Sequence, residues 1–156
     1  MPRVFLCLAI SNLLLLAMNA VLGLWGEPMR DRHIVLGVLT LIYTCFLQVM
    51  AFTYFTITGK MIGQALNVAN ADLEPLIRSK GLKLLFTRWL AILFLAAAAT
   101  SASGAMRWRG YGPANLHLAT AGLAVVLHIL VLFRQYVLVT ANAAVFENVF
   151  RARPGP

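Results

Sequence analysis

Four apolar stretches, each long enough to cross a lipid bilayer, leave this chain of 156 residues few other ways to fold. They run from Val4 to Trp25, Ile34 to Thr58, Leu82 to Met106 and Ala114 to Val139. A spanning helix needs roughly 20 mostly apolar residues, and each stretch supplies that. A buried core helix would explain one such stretch in a water-soluble protein. Four of them, in a sequence 61% hydrophobic and 12% charged, leave too little polar surface to enclose a core. Backbone in hydrocarbon must satisfy its own hydrogen bonds, which admits helices or a closed barrel. Barrel strands alternate apolar with polar residues, and Leu13-Leu14-Leu15-Leu16 and Ala96-Ala97-Ala98-Ala99 do not. The expected fold is an all-α integral membrane four-helix bundle, one transmembrane domain over residues 1–156. Arg3 ahead of the first stretch resembles the start of a signal peptide. The stretch is too long for that, and no small-x-small site follows near Trp25, so it is read as a retained helix.

The charge is unequally shared between alternate connections. Arg3, Lys60, Arg78, Lys80, Lys83, Arg88, Arg134, Arg151 and Arg153 fall on one side, nine of the 13 basic residues. Arg30, Arg32, Arg107 and Arg109, the other four, fall on the opposite side. The positive-inside rule then places both termini in the cytoplasm, with Trp25, Trp108 and Tyr111 at the outer interface and Trp89 nearer the inner one. The net charge of +8 is read as this bias plus attraction of cytoplasmic Lys and Arg to anionic lipid heads, not as nucleic-acid binding. Gly26-Glu27-Pro28 and Gly110-Tyr111-Gly112-Pro113 mark short outer turns, which make helices 1 and 2, and 3 and 4, antiparallel neighbours.

The inner connection is different. Met61, Ile62, Ala65, Leu66 and Ala69 recur at helical spacing, Asp72 offers an N-cap, and Leu73, Leu76 and Ile77 resume a helical stripe. Val137, Ala141, Ala144, Val145 and Val149 prolong the fourth helix. Helices 2, 3 and 4 are therefore expected to extend on the cytoplasmic side and to turn near Asn70-Ala71-Asp72. The competing expectation is amphipathic helix lying flat on the lipid.

Polar side chains are costly in hydrocarbon, so their positions inform. Ser11, Asn12 and Asn19 share a face of helix 1; Thr40, Tyr43, Thr44 and Gln48 share one of helix 2. His117, His128, Gln135 and Asn142 form a stripe on helix 4, and helix 3 carries a small-residue tract from Ala96 to Ala105. Hydrogen bonding and close packing between helices account for such stripes; a pocket bounded by Asn12, Asn19, Gln48 and His128 is the functional alternative. His33 and His117 begin helices 2 and 4 at matching depth, an arrangement that suits two axial ligands of a haem iron. His128 lies about 16 Å further along, from the 1.5 Å rise per residue. It has no histidine opposite and would need Met18 or Met50. None of Glu27, Asp31, Asp72, Glu74 and Glu147 lies in the lipid core, which disfavours a proton-coupled pump. Cys7 and Cys45 form no CxxC pair, and no GxSxG, HExxH, Walker loop or GxGxxG occurs, so neither a catalytic residue nor a metal site is assigned.

The segments Phe52-Thr53-Tyr54-Phe55-Thr56-Ile57-Thr58-Gly59-Lys60, Phe133-Arg134-Gln135-Tyr136 and Glu147-Asn148-Val149 resemble those of a group of uncharacterised bacterial four-span integral membrane proteins. The resemblance implies a bacterial cytoplasmic membrane and brings no activity with it. The chain departs from the group's pattern in lacking a histidine close to Gln48, which counts against haem. The leading expectation is a non-catalytic subunit or scaffold of a larger, energy-transducing membrane complex, without a cofactor and with other membrane subunits as partners. The alternatives are a small electron-transfer anchor holding haem b or quinone through His117, His33 or His128, and a binder or carrier of a small hydrophobic molecule.

Overall fold

The computed structural model describes residues 1–69, 71–111 and 113–151. Asn70, Gly112 and Arg153, which enter the turn and charge arguments above, lie outside the described residues. Among those described, four helices carry the fold and no strand occurs: α1 Pro2–Leu24, α2 Arg30–Ala69, α3 Glu74–Trp108 and α4 Ala114–Arg151. All four are long and apolar enough to cross a membrane.

Local chemistry sets the ends. Gly26 has φ 71°, a left-handed conformation that costs glycine least, and its carbonyl accepts the Met29 amide at 3.1 Å in a short 3-10 turn, Glu27–Met29. Gly110, at φ 75°, closes α3 in the same way. The Tyr111 amide reaches back to the Met106 carbonyl at 2.9 Å and that of Gly110 to Arg107 at 3.1 Å, the Schellman pattern. At the start of α3 the capping residue is Leu73, one place later than expected. The Asp72 carboxylate still accepts the Glu74 amide at 3.1 Å, so it satisfies an orphan donor from just outside the helix.

α2 has 40 residues, against 23 in α1. At 1.5 Å per residue it is about 60 Å long, far more than a bilayer core requires. α1 packs on α2 and α3 on α4, giving two antiparallel hairpins. The hairpins meet along a seam in which α2 approaches α4 while α1 and α3 stay apart. One core cluster joins Phe5 of α1 to Leu47, Phe55, Phe86, Leu132 and Val139. A second, of Ile62, Leu66 and Val145 with Leu76 and Phe146 against them, contains no residue of α1. The prolonged parts of α2, α3 and α4 thus cover one another's apolar stripes, continuous with their helices.

The bundle differs from a water-soluble domain in its exterior, which is apolar, and in burying polar side chains beside its apolar clusters. Asn12, Thr44, Gln48, Gln135 and Asn142 are buried in it, while Leu14, Ile42, Leu95, Leu123 and Phe133 are exposed. Exposed leucines taken singly are ordinary; apolar exteriors on every helix around a polar axis are not.

Candidate functional site: a polar axis with an imidazole pair at one end

α2 and α4 run parallel, and their facing side chains build four polar layers down the seam. The first holds His33 and His117, each the fourth residue of its helix. Their ring centres are 6.2 Å apart with the planes inclined at 71°. Each ring lies against a glycine of its own hairpin. A Cβ on Gly23 of α1 would sit 2.9 Å from His33 Cε1, and one on Gly104 of α3 would sit 3.1 Å from His117 Cε1. Any larger residue there would push the ring aside.

Both rings are anchored through Nδ1. His33 Nδ1 donates to the Asn19 carbonyl at 2.9 Å, since a carbonyl can only accept. His117 Nδ1 is 3.2 Å from Ser103 Oγ. The Ser103 hydroxyl also meets the Thr100 carbonyl at 2.9 Å and Thr120 Oγ1 at 2.7 Å, and Thr120 Oγ1 reaches the Leu116 and His117 carbonyls at 3.0 Å. Each hydroxyl has one proton, and the arrangement that uses every proton once makes His117 Nδ1 a donor to Ser103. With Nδ1 as the donor in both rings, the basic lone pair is on Nε2. Beside them, Asn19 Oδ1 is the one buried side-chain polar atom without a partner among those residues, and its amide group packs 3.3 Å from the Cβ position of Gly37.

The second layer joins three helices. His128 Nε2 hydrogen-bonds Asn12 Oδ1, Asn12 Nδ2 donates to Thr44 Oγ1 at 2.9 Å, and Thr44 Oγ1 lies 2.8 Å from the Thr40 carbonyl. His128 is thereby occupied by an asparagine, and Met18 is exposed, which removes one of the methionines expected to face it. The third layer is a reciprocal pair of amides: Gln48 Nε2 donates to Gln135 Oε1 at 3.0 Å and Gln135 Nε2 to Gln48 Oε1 at 2.8 Å. In the fourth, Asn142 Nδ2 donates to Thr58 Oγ1 at 2.8 Å and Asn142 Oδ1 accepts from Ser79 Oγ at 2.7 Å.

The residues expected to bound one pocket are therefore distributed over three layers. Asn12 and His128 touch; Asn19 belongs with His33, and Gln48 with Gln135. His33 and His117 are brought together, and His128 is separate from them. Thr58, Ser79, Ser103 and Thr120 complete the layers although no stripe singled out Thr58, Ser79 or Thr120. A hydroxyl can return its proton to its own helix, as Thr58 does to the Tyr54 carbonyl at 2.8 Å, so hydroxyls carry little positional signal in a sequence. Among the described residues no group of three His, Cys, Asp or Glu side chains is placed to hold a metal ion.

The Gln pair yields a clean measurement. Gln48→Leu and Gln135→Leu are each expected to destabilise the bundle by about 1–3 kcal/mol, because each strands a buried amide. The double variant should recover most of that loss. A thermodynamic cycle in detergent reads the coupling, and strictly additive losses would show that the amides act independently.

Comparisons of the chain with protein-family models, with curated proteins and with solved structures find no match in any of the three.

Proposed function

We propose that the chain is a non-catalytic, membrane-embedded subunit that carries haem b between His33 and His117 and works within a larger electron-transferring assembly. The observation that carries this reading is the imidazole pair. Metal–imidazole bonds of about 2 Å put the centres of two opposed rings roughly 6 Å apart when they share one metal, and the observed separation is 6.2 Å. A hydrogen bond at Nδ1 that fixes the ring is the usual second layer of support for a histidine that ligates through Nε2. The two ligands come from different hairpins, so a flat macrocycle would lie in the seam between them. Haem held here would supply one-electron exchange, and His33 and His117, fixed by Asn19 and Ser103, would hold it.

Embedding in a membrane is supported by the four long apolar helices and by the apolar exterior around a polar axis. The distribution of Lys and Arg supports cytoplasmic termini, which puts the imidazole pair on the outer side, and the resemblance noted above supports a bacterial cytoplasmic membrane. The need for partner subunits follows from the chemistry. One haem must receive an electron and pass it on, and Cys7 on α1 and Cys45 on α2 are free thiols.

The test is an absorption spectrum of the intact protein purified in mild detergent from haem-replete cells. A Soret band with one haem per chain is expected. A colourless preparation that also takes up no added haemin would end this reading and leave the scaffold function alone.

A further inference from the structure

At the end of the bundle opposite the imidazole pair, α2 and α3 part to leave an open cleft of about 590 Å³. Its walls carry Lys60 and Gln64 from α2 and Ser79, Lys80 and Lys83 from α3, over a floor that includes Phe55 and Leu76. The room comes from Gly59 and Gly63, one turn apart on α2. A Cβ at either would meet only ordinary contacts, Ser79 Oγ at 3.8 Å and Leu76 Cδ2 at 3.6 Å, so the glycines are not demanded by helix packing. Among the described residues no carboxylate lines the cleft. Lys83 is held in place, donating to Thr56 Oγ1 at 2.9 Å and lying 4.3 Å over the Phe52 ring. Lys60 and Lys80 have no acidic partner among the described residues. Three lysines thus line one partly enclosed space, and like charges so gathered repel one another unless an anion joins them.

The depth of the cleft selects the anion. Lys60 follows the apolar stretch that ends at Thr58, and Lys80 and Lys83 bracket the one that begins at Leu82, so the lysines stand where hydrocarbon gives way to headgroups. Phe52, under Lys83, is exposed about two turns deeper than Lys60 on the same helix. We propose that this cleft binds the phosphate of an anionic phospholipid, with its acyl chains lying along α2 beside Phe52. The proposal rests on the membrane embedding argued above and is independent of haem. It differs from general attraction of basic residues to acidic lipid in requiring one defined site.

The test uses the full chain in nanodiscs of mixed phosphatidylglycerol and phosphatidylcholine, with the lipid retained on the protein counted by native mass spectrometry after release. Wild-type protein should retain one phosphatidylglycerol in preference to phosphatidylcholine. Each Lys near a membrane surface is worth about fivefold in binding an anionic lipid, so Lys60→Gln with Lys80→Gln should lower retention roughly twenty-five-fold. Arg151→Gln, on the same side but outside the cleft, should leave it unchanged. Gly59→Leu should lower it by filling the space with all three lysines kept. Equal retention of the two lipids, an unaffected double variant, or an equal loss in Arg151→Gln would each overturn the proposal. Excess inorganic phosphate that displaces the lipid completely would reassign the site to a soluble phosphate. A chain that does not enter nanodiscs fails the membrane reading itself; one that enters without lipid preference fails only this inference.

Discussion

Replacing His117 with alanine is expected to abolish the Soret band of the purified protein while leaving its helical content intact. His33→Ala should do the same, and His128→Ala should leave the band nearly unchanged. The three histidines are chemically alike, so the contrast depends on position alone. The His117 and His33 rings are held through Nδ1 and lie 6.2 Å apart, whereas His128 Nε2 is engaged by Asn12 in the next layer. The fold should survive loss of the His117 ring. Ser103 keeps the Thr100 carbonyl and Thr120 as partners, and the Thr100 hydroxyl, 2.9 Å from the Ala96 carbonyl, also reaches the Thr120 carbonyl across to α4 at 3.2 Å. Ser103→Ala probes the same bond from behind. It removes the anchor of a ligand and not the ligand, for which a loss of about 10–100-fold in haem affinity is the usual scale. Retention of an unshifted band in both His33→Ala and His117→Ala would show that the iron is held elsewhere.

Much of this arrangement is readable from the amino-acid sequence because membrane helices advertise their interiors by contrast. On α4 the run His117, His128, Gln135 and Asn142 stands out from leucine and valine, and each of the four ends at a polar layer in the structure. The hairpin pairing follows from the short turns at Gly26 and Gly110, whose left-handed backbones do what glycine is suited to do. The pairing of layers across helices is a different matter. A stripe specifies a face and not a register, so Gln48 is as well matched to His128 by composition as to its actual partner Gln135. The anchor of His33 is invisible for another reason: it is the backbone carbonyl of Asn19, which every residue possesses. The lysine cleft is legible in part, since its charges are evident, but its space comes from two glycines whose effect depends on how α2 leans against α3.

Asn142→Leu is expected to cost the bundle about 2–3 kcal/mol, more than removal of any single partner, because one amide serves both neighbouring helices. Its Nδ2 meets Thr58 of α2 and its Oδ1 meets Ser79 of α3, both buried. Interhelical hydrogen bonds in membrane proteins are worth about 0.6 kcal/mol on average and up to about 1.7. Two of them lost together, with the Ser79 hydroxyl stranded in the interior, give the larger figure. Thr58 suffers less, since it still donates to its own helix through the Tyr54 carbonyl. Ser79→Ala should therefore relieve part of the loss when combined with Asn142→Leu, whereas Thr58→Ala should not. Position matters as well as number. Asn142 stands between the cluster around Phe55 and Phe86 and that of Ile62, Leu66 and Val145, where α1 no longer contributes and three helices must hold themselves together. Unfolding in a graded detergent mixture, followed by helical circular dichroism, gives the stability. Proteolysis between Ala69 and Glu74 reports whether the three-helix end opens first. An Asn142→Leu protein as stable as the parent, with that connection equally protected, would mean that apolar packing and not the shared amide holds the end of the bundle closed.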